Sequence, residues 1–201
     1  MKRTLTVAEE VWPLKGRFAI SRGAKTESRV VVARLAAAGG RGWGECVPYP
    51  RYGESIASVL AQIESVRGPM EDGADRQALL DLLPAGAARN ALDCALWDLE
   101  AKLTRTPVHV LAGLPAPKPV VTAYTLGLEA PDAMANAAAE AAHRPLLKIK
   151  LGREAVLETM AGIRAAAPKA RLIVDANEAW SAAFYCEVAP ELARLGVELI
   201  E

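Results

Sequence analysis

The sequence is poor in the residues that build thiolate metal sites and disulfide frameworks. Its 201 residues include two histidines and three cysteines. Cys46, Cys94 and Cys186 are widely spaced and form no C-x-x-C pair. That excludes a zinc finger and a disulfide scaffold, and it fits reduced cytosolic thiols. His109 and His143 have no partner at ligand spacing and read as structural or surface groups. Net charge is also missing. The 24 basic and 24 acidic side chains balance, so neither nucleic acid nor an anionic membrane is the expected partner. No apolar run approaches the length of a membrane span. Charges at Lys2, Arg3, Glu9, Glu10, Lys15 and Arg17 leave no signal-peptide core. The expected compartment is the cytoplasm.

What is present suffices for one or two domains, with 52% hydrophobic residues. The first part has the pattern of an antiparallel meander: "TLTVAEEVWPL", "RFAIS", "TESRVVVARLAA" and "GRGWGECV", with "AGGRG" as a hairpin signal. Gly40, Gly42 and Gly44 do not match G-x-G-x-x-G, and Pro48 and Pro50 stand where a nucleotide-binding helix would begin. "ESIASVLAQIESV" and "AGAARNALDCALWDLEAKL" have helical spacing, with Trp97 read as packing. Prolines 115, 117 and 119 mark a boundary. Beyond it, strand-like and helix-like segments alternate strictly, ending on "VELIE". The pattern predicts an α+β cap domain over residues 1–116, followed over 117–201 by strands 1–4 of a (β/α)8 TIM-type barrel, with a doubly wound sheet as the alternative. A full barrel takes about 250 residues, so the chain reads as the N-terminal portion of a longer protein.

In such a barrel, chemistry sits at the C-terminal ends of the strands. "LLKIKLG" offers Lys148 and Lys150, two apart and on one face. Solvated edge lysines are the simpler alternative. "LIVDAN" offers Asp175 and Asn177, "VELIE" offers Glu201, and the first strand offers Tyr124 and Thr125. Asp175 alone could cap the next helix. Taken together, the acids suit Mg²⁺. A metal on a substrate carboxylate stabilises the enediolate left when the adjacent carbon loses its proton. One lysine then acts as base, and the like charge of the other tunes it.

These motifs resemble the enolase superfamily, muconate-lactonizing subgroup. "GRGWGECVPYPRYGES", "ALDCALWDLEAKL" and "VVTAYTLGL" are similar to dipeptide epimerases of the L-Ala-D/L-Glu type. The resemblance implies an isomerase in which Lys150 and Lys148 are catalytic and Asp175 and Glu201 bind Mg²⁺. It implies that Thr125, Arg22, Arg51, Tyr52 and Asn177 border the substrate, a dipeptide or other carboxylate. Homo-oligomers are compatible with it. The third metal ligand, the opposite-face base and the ammonium-binding acids would lie beyond Glu201. N-acylamino-acid racemisation, o-succinylbenzoate synthesis and muconate cycloisomerisation use the same scaffold. A 201-residue polypeptide standing alone would instead be a non-catalytic half-barrel.

Overall fold

In a computed structural model, which describes residues 2–21 and 23–201, the alternating segments near the N-terminus form a three-stranded sheet. Its order is β1 (Thr4–Ile20), β2 (Gly23–Ala37) and β3 (Gly40–Cys46). The sequence predicts two strands within the first of these, interrupted near Pro13 and Gly16; the structure has one. β1 lies at the sheet edge, where a proline's missing N–H costs no ladder bond on the open side.

β2 and β3 are antiparallel and joined by the two-residue turn Ala38–Gly39, both at positive φ, as the right-handed twist of a tight hairpin requires. Only Gly39 of the glycine cluster serves that turn. Gly42 and Gly44 face helix α4 (Ala87–Thr104), where an added Cβ would overlap the carbonyl oxygens of Ala95 and Ala91. Ala91, Ala95 and Leu99 of α4 join Val31, Ala33 and Leu35 of β2 in the first core. α1 (Ile56–Ser65), with a Ser55–Ser58 capping box, adds Val59 and Ile63. α2 (Arg67–Asp72) and α3 (Arg76–Leu82) add Met70 and Leu79, and a short α5 (Val108–Leu111) follows α4. Trp97 packs under the Arg76 guanidinium, 3.2 Å from the ring centre.

The second unit has its own core. β4 (Tyr124–Leu126), α6 (Pro131–Glu140), β5 (Leu146–Lys150), α7 (Val156–Ala166), β6 (Arg171–Asp175), α8 (Ala182–Arg194) and β7 (Val197–Ile200) alternate as expected. The parallel strands are ordered β4-β5-β6-β7. A doubly wound sheet reverses direction at a switch point; this one does not, and it has the order of the first half of a barrel. Leu147, Ile149, Leu172 and Val174 face the helices and are completely buried with Met160, Ile163 and Leu192.

The two compact units comprise residues 1–13 with 27–118, and 14–26 with 119–201. The sequence assigns all of 1–116 to the first domain, whereas the β1–β2 hairpin tip clusters with the second. Strand periodicity shows that a hairpin forms, not what its tip packs on. Among the described residues no helix is long and apolar enough to cross a membrane.

The close approach of α4 to β3 sets a clear expectation. Gly44→Ala should lower unfolding stability by about 3 kcal/mol, because backbone rather than a flexible side chain must move. Gly68→Ala, in α2 with open space around its Cβ position, should raise stability by about 0.5–1 kcal/mol. Urea titration of both variants measures the contrast, and equal effects would contradict the contact.

Candidate active site

β5 lies between β4 and β6, so the lysine pair is not on an edge. The Lys148 and Lys150 side chains are 23% and 11% exposed. Parallel register places Lys148 beside Thr125 and Ile173, and Lys150 beside Asp175. Register partners share a face, so Thr125, Lys148, Lys150 and Asp175 lie together, opposite the helix-covered side.

Glu201 joins that face through an irregularity. Leu172 pairs with Val197, but Ile173 pairs with Leu199, so β7 carries one extra residue, Glu198. Glu201 N donates to Val174 O at 2.8 Å, and Ala176 N donates to Glu201 O at 3.1 Å. These bonds bracket Asp175 and set Glu201 beside it. Without the bulge Ile200 would stand there, since a one-residue slip turns every side chain over. Arg171 binds the Glu198 carboxylate with Nε and Nη2 at 2.7–3.0 Å.

The four charged groups form one network. Lys150 donates to Asp175 Oδ2 at 2.5 Å, and Lys148 lies 2.9 Å from the same oxygen. Lys148 also pairs with Glu201. Asn177 N donates to Asp175 Oδ1 at 2.8 Å. Burial pushes the Asp175 carboxyl up, but bonds from Lys150, Lys148 and Asn177 outweigh it and hold the pKa down to about 2. The Glu201 bond and the Asp175 contacts raise the Lys148 pKa against partial burial. In this state the carboxylates, rather than the like charge of Lys150, dominate the surroundings of Lys148.

Asp175 caps no helix. Ser181 accepts from Phe184 N at the start of α8. Asn177 adopts positive φ, and its carbonyl accepts from Ser21 Oγ at 3.1 Å. Trp180, to which the sequence reading gives no role, donates its indole N–H to Gly152 O at 2.6 Å. It thereby ties the loop after β6 to the loop after β5. Arg51 and Tyr52 belong to the first unit, in the turn Pro50–Tyr52, where Tyr52 is 75% exposed and edge-on to Tyr49. Arg22 lies outside the described residues.

Among the described residues no group of three or more His, Cys, Asp or Glu converges on one point. Two acids do meet: Asp175 and Glu201 both reach the Lys148 ammonium, so both can reach one cation. Their oxygens are the donor type Mg²⁺ takes. This chain fits part of a Mg²⁺ site.

Residues 2–113 match the family model for the N-terminal domain of mandelate racemase/muconate lactonizing enzyme. Over 201 residues the chain is 51% identical to an L-Ala-D/L-Glu epimerase of Escherichia coli, covering 99% of this chain and 63% of that protein. A crystal structure from Agrobacterium tumefaciens superimposes with TM-score 0.93 at 46% identity, covering 98% of this chain and 61% of that one. It is an enolase family member with homology to dipeptide epimerases, holding sodium and L-Ala-L-Glu. A dipeptide epimerase from Cytophaga hutchinsonii, complexed with Mg and D-Ala-L-Val, gives TM-score 0.89 at 25% identity, covering 100% of this chain and 58% of that one. The chain thus spans about three fifths of the proteins it matches.

The depressed Asp175 pKa has a consequence for metal-free protein. Stability from a lowered carboxylate pKa is complete above the unfolded value, near 3.8, and is lost as pH falls through about 2. Between pH 5 and pH 2 the unmodified chain should lose about 2 kcal/mol more than Asp175→Asn. Urea unfolding across that range measures the difference, and parallel losses would show that the lysines do not hold this carboxylate.

Proposed function

The chain belongs to the mandelate racemase/muconate lactonizing enzyme family, and on that premise we propose that it supplies one catalytic face of a dipeptide epimerase of the L-Ala-D/L-Glu type. The observation that carries this reading is the shared Asp175 carboxylate, with Lys150 at 2.5 Å and Lys148 at 2.9 Å on one strand face. Similarity to L-Ala-D/L-Glu epimerase over nearly the whole chain supports the substrate class.

Lys150 is the proton acceptor. It is the more buried lysine; as the neutral amine it takes the α-proton, and the ammonium so formed is stabilised by the Asp175 carboxylate beside it. Lys148, already placed between two acids, pairs with the substrate's α-carboxylate. Asn177 fixes the Asp175 rotamer through its backbone N–H, and Trp180 holds the end of β5 in place. Asp175 and Glu201 would hold Mg²⁺, which supplies positive charge next to the α-carboxylate and lowers the cost of losing the neighbouring proton. Inversion needs a second base on the opposite face of the carbon. Among the described residues no third acid joins Asp175 and Glu201, and the chain spans about three fifths of the relatives it matches.

In D₂O with Mg²⁺, the protein at its natural length should exchange the α-proton of the second residue of L-Ala-L-Glu. Lys150→Ala should slow exchange from the face it serves by about 10³-fold. Chelation should abolish exchange, and Mg²⁺ should restore it. Wild-type exchange in Lys150→Ala would overturn the assignment.

A further inference from the structure

The second unit holds a cavity of about 620 Å³ that the proposed proton transfer leaves unused. That is the size of a small-molecule site. None of Thr125, Lys148, Lys150, Asp175 and Glu201 lines it; its walls are the loop after β4, the loop after β5 and Ser21 of the hairpin. Those loops lead into α6 and α7, and the residues that precede the two helices, Ala130 and Ala155, both line the cavity. Alanine offers no side-chain oxygen, so the first-turn N–H groups of both helices have no capping side chain. A helix leaves those donors unsatisfied and carries partial positive charge at that end.

Thr159, one turn into α7, points to a ligand. It is 3% exposed and lines the cavity. Its backbone N–H donates to Ala155 O at 2.9 Å, but among the described residues its hydroxyl has no hydrogen-bond partner. Buried hydroxyls are normally paired, so this one is an open donor facing the cavity. Arg153 lines the cavity too, with its guanidinium 5.2 Å over the Phe184 ring and no ion-pair partner among the described residues. The acceptors nearby are engaged or mobile. Gly152 O accepts from Trp180, Glu129 pairs with Arg17 at 3.3 Å, and Glu154 is exposed, where its carboxylate can turn to water. The groups held in place are therefore donors.

We infer that this cavity binds a small oxyanion of the phosphate class, received by the first-turn amides of α6 and α7, the Thr159 hydroxyl and the Arg153 guanidinium. Free phosphate and the phosphoryl end of a larger molecule share this chemistry. Helix starts bind such groups through the backbone, which leaves no side-chain motif in the sequence to mark the site.

Calorimetric titration of the protein at its natural length with inorganic phosphate and with methyl phosphate tests the site. Phosphate should bind, and Arg153→Gln and Thr159→Val should each weaken it about tenfold. Ala130→Asp should set a carboxylate over the α6 amides, abolish phosphate binding and raise the unfolding temperature, so that binding is lost without loss of fold. Methyl phosphate bound as tightly as phosphate would assign the site to the phosphoryl end of a larger molecule, and its exclusion to the free anion. No binding of either anion would overturn the site. Phosphate affinity unchanged in Arg153→Gln and Thr159→Val would place the anion elsewhere and overturn it as well.

Discussion

The polar face of the second unit depends on one buried carboxylate. Asp175 is 3% exposed, and an isolated carboxylate at such a position is unstable by several kcal/mol. Two ammonium groups and a backbone amide meet it here, and that requirement reaches back along the chain. Both lysines must lie on an internal strand, two residues apart, so that both aim at the same oxygen. β6 must pair with β5 in the register that puts Asp175 next to Lys150. β7 must then bring an acid, not an isoleucine, to the other side, and the bulge at Glu198 does so. Arg171 engages Glu198 with two nitrogens on the exposed side of the sheet.

Much of this was legible in the sequence, for identifiable reasons. Period-two alternation in "LLKIKLG" shows that Lys148 and Lys150 share a face, and the strand-end positions of Asp175 and Glu201 follow from β-α alternation. The bulge was not legible. "VELIE" alternates acceptably in either register, and only the β6 pairing reveals the extra residue. The single long β1 was obscured because Pro13 and Gly16 are strand breakers everywhere except at an edge. α2 and α3 were missed because six- and seven-residue helices show too few turns for a periodic signal. The sequence places the two acids at the same sheet end as the lysines, but as metal ligands and not as ion-pair partners. The dominant charges, Asp175 and Glu201, come from 25 and 53 residues away.

The first unit solves a different problem with similar economy. β3 is an edge strand, and exposed edges invite pairing with other chains. α4 comes close enough, over Gly42 and Gly44, for its polar side chains to take the outward backbone groups. Asp98 accepts from Trp43 N at 2.9 Å, Lys102 donates to Arg41 O at 3.0 Å, and Asn90 donates to Glu45 O at 3.3 Å. The glycines thus have two effects through one contact. They let apolar residues of helix and sheet meet, and they place three side chains where they blunt the edge.

Burial also divides the labour within the lysine pair. The four groups Lys148, Lys150, Asp175 and Glu201 sum to zero charge, so the face is electrostatically closed before any ligand arrives. Opening it requires one ion pair to exchange a partner. The Lys150–Asp175 pair is poorly suited, with side chains 11% and 4% exposed, since a buried charge left unpaired is costly even briefly. Lys148–Glu201 is well suited, because the Glu201 side chain is 60% exposed and water can take over from the lysine. Lys148 is therefore the lysine whose ion pair can exchange a partner, while Lys150 stays against Asp175. Two identical residue types two positions apart thus sit in ion pairs of different lability, set by the exposure of the acids that face them.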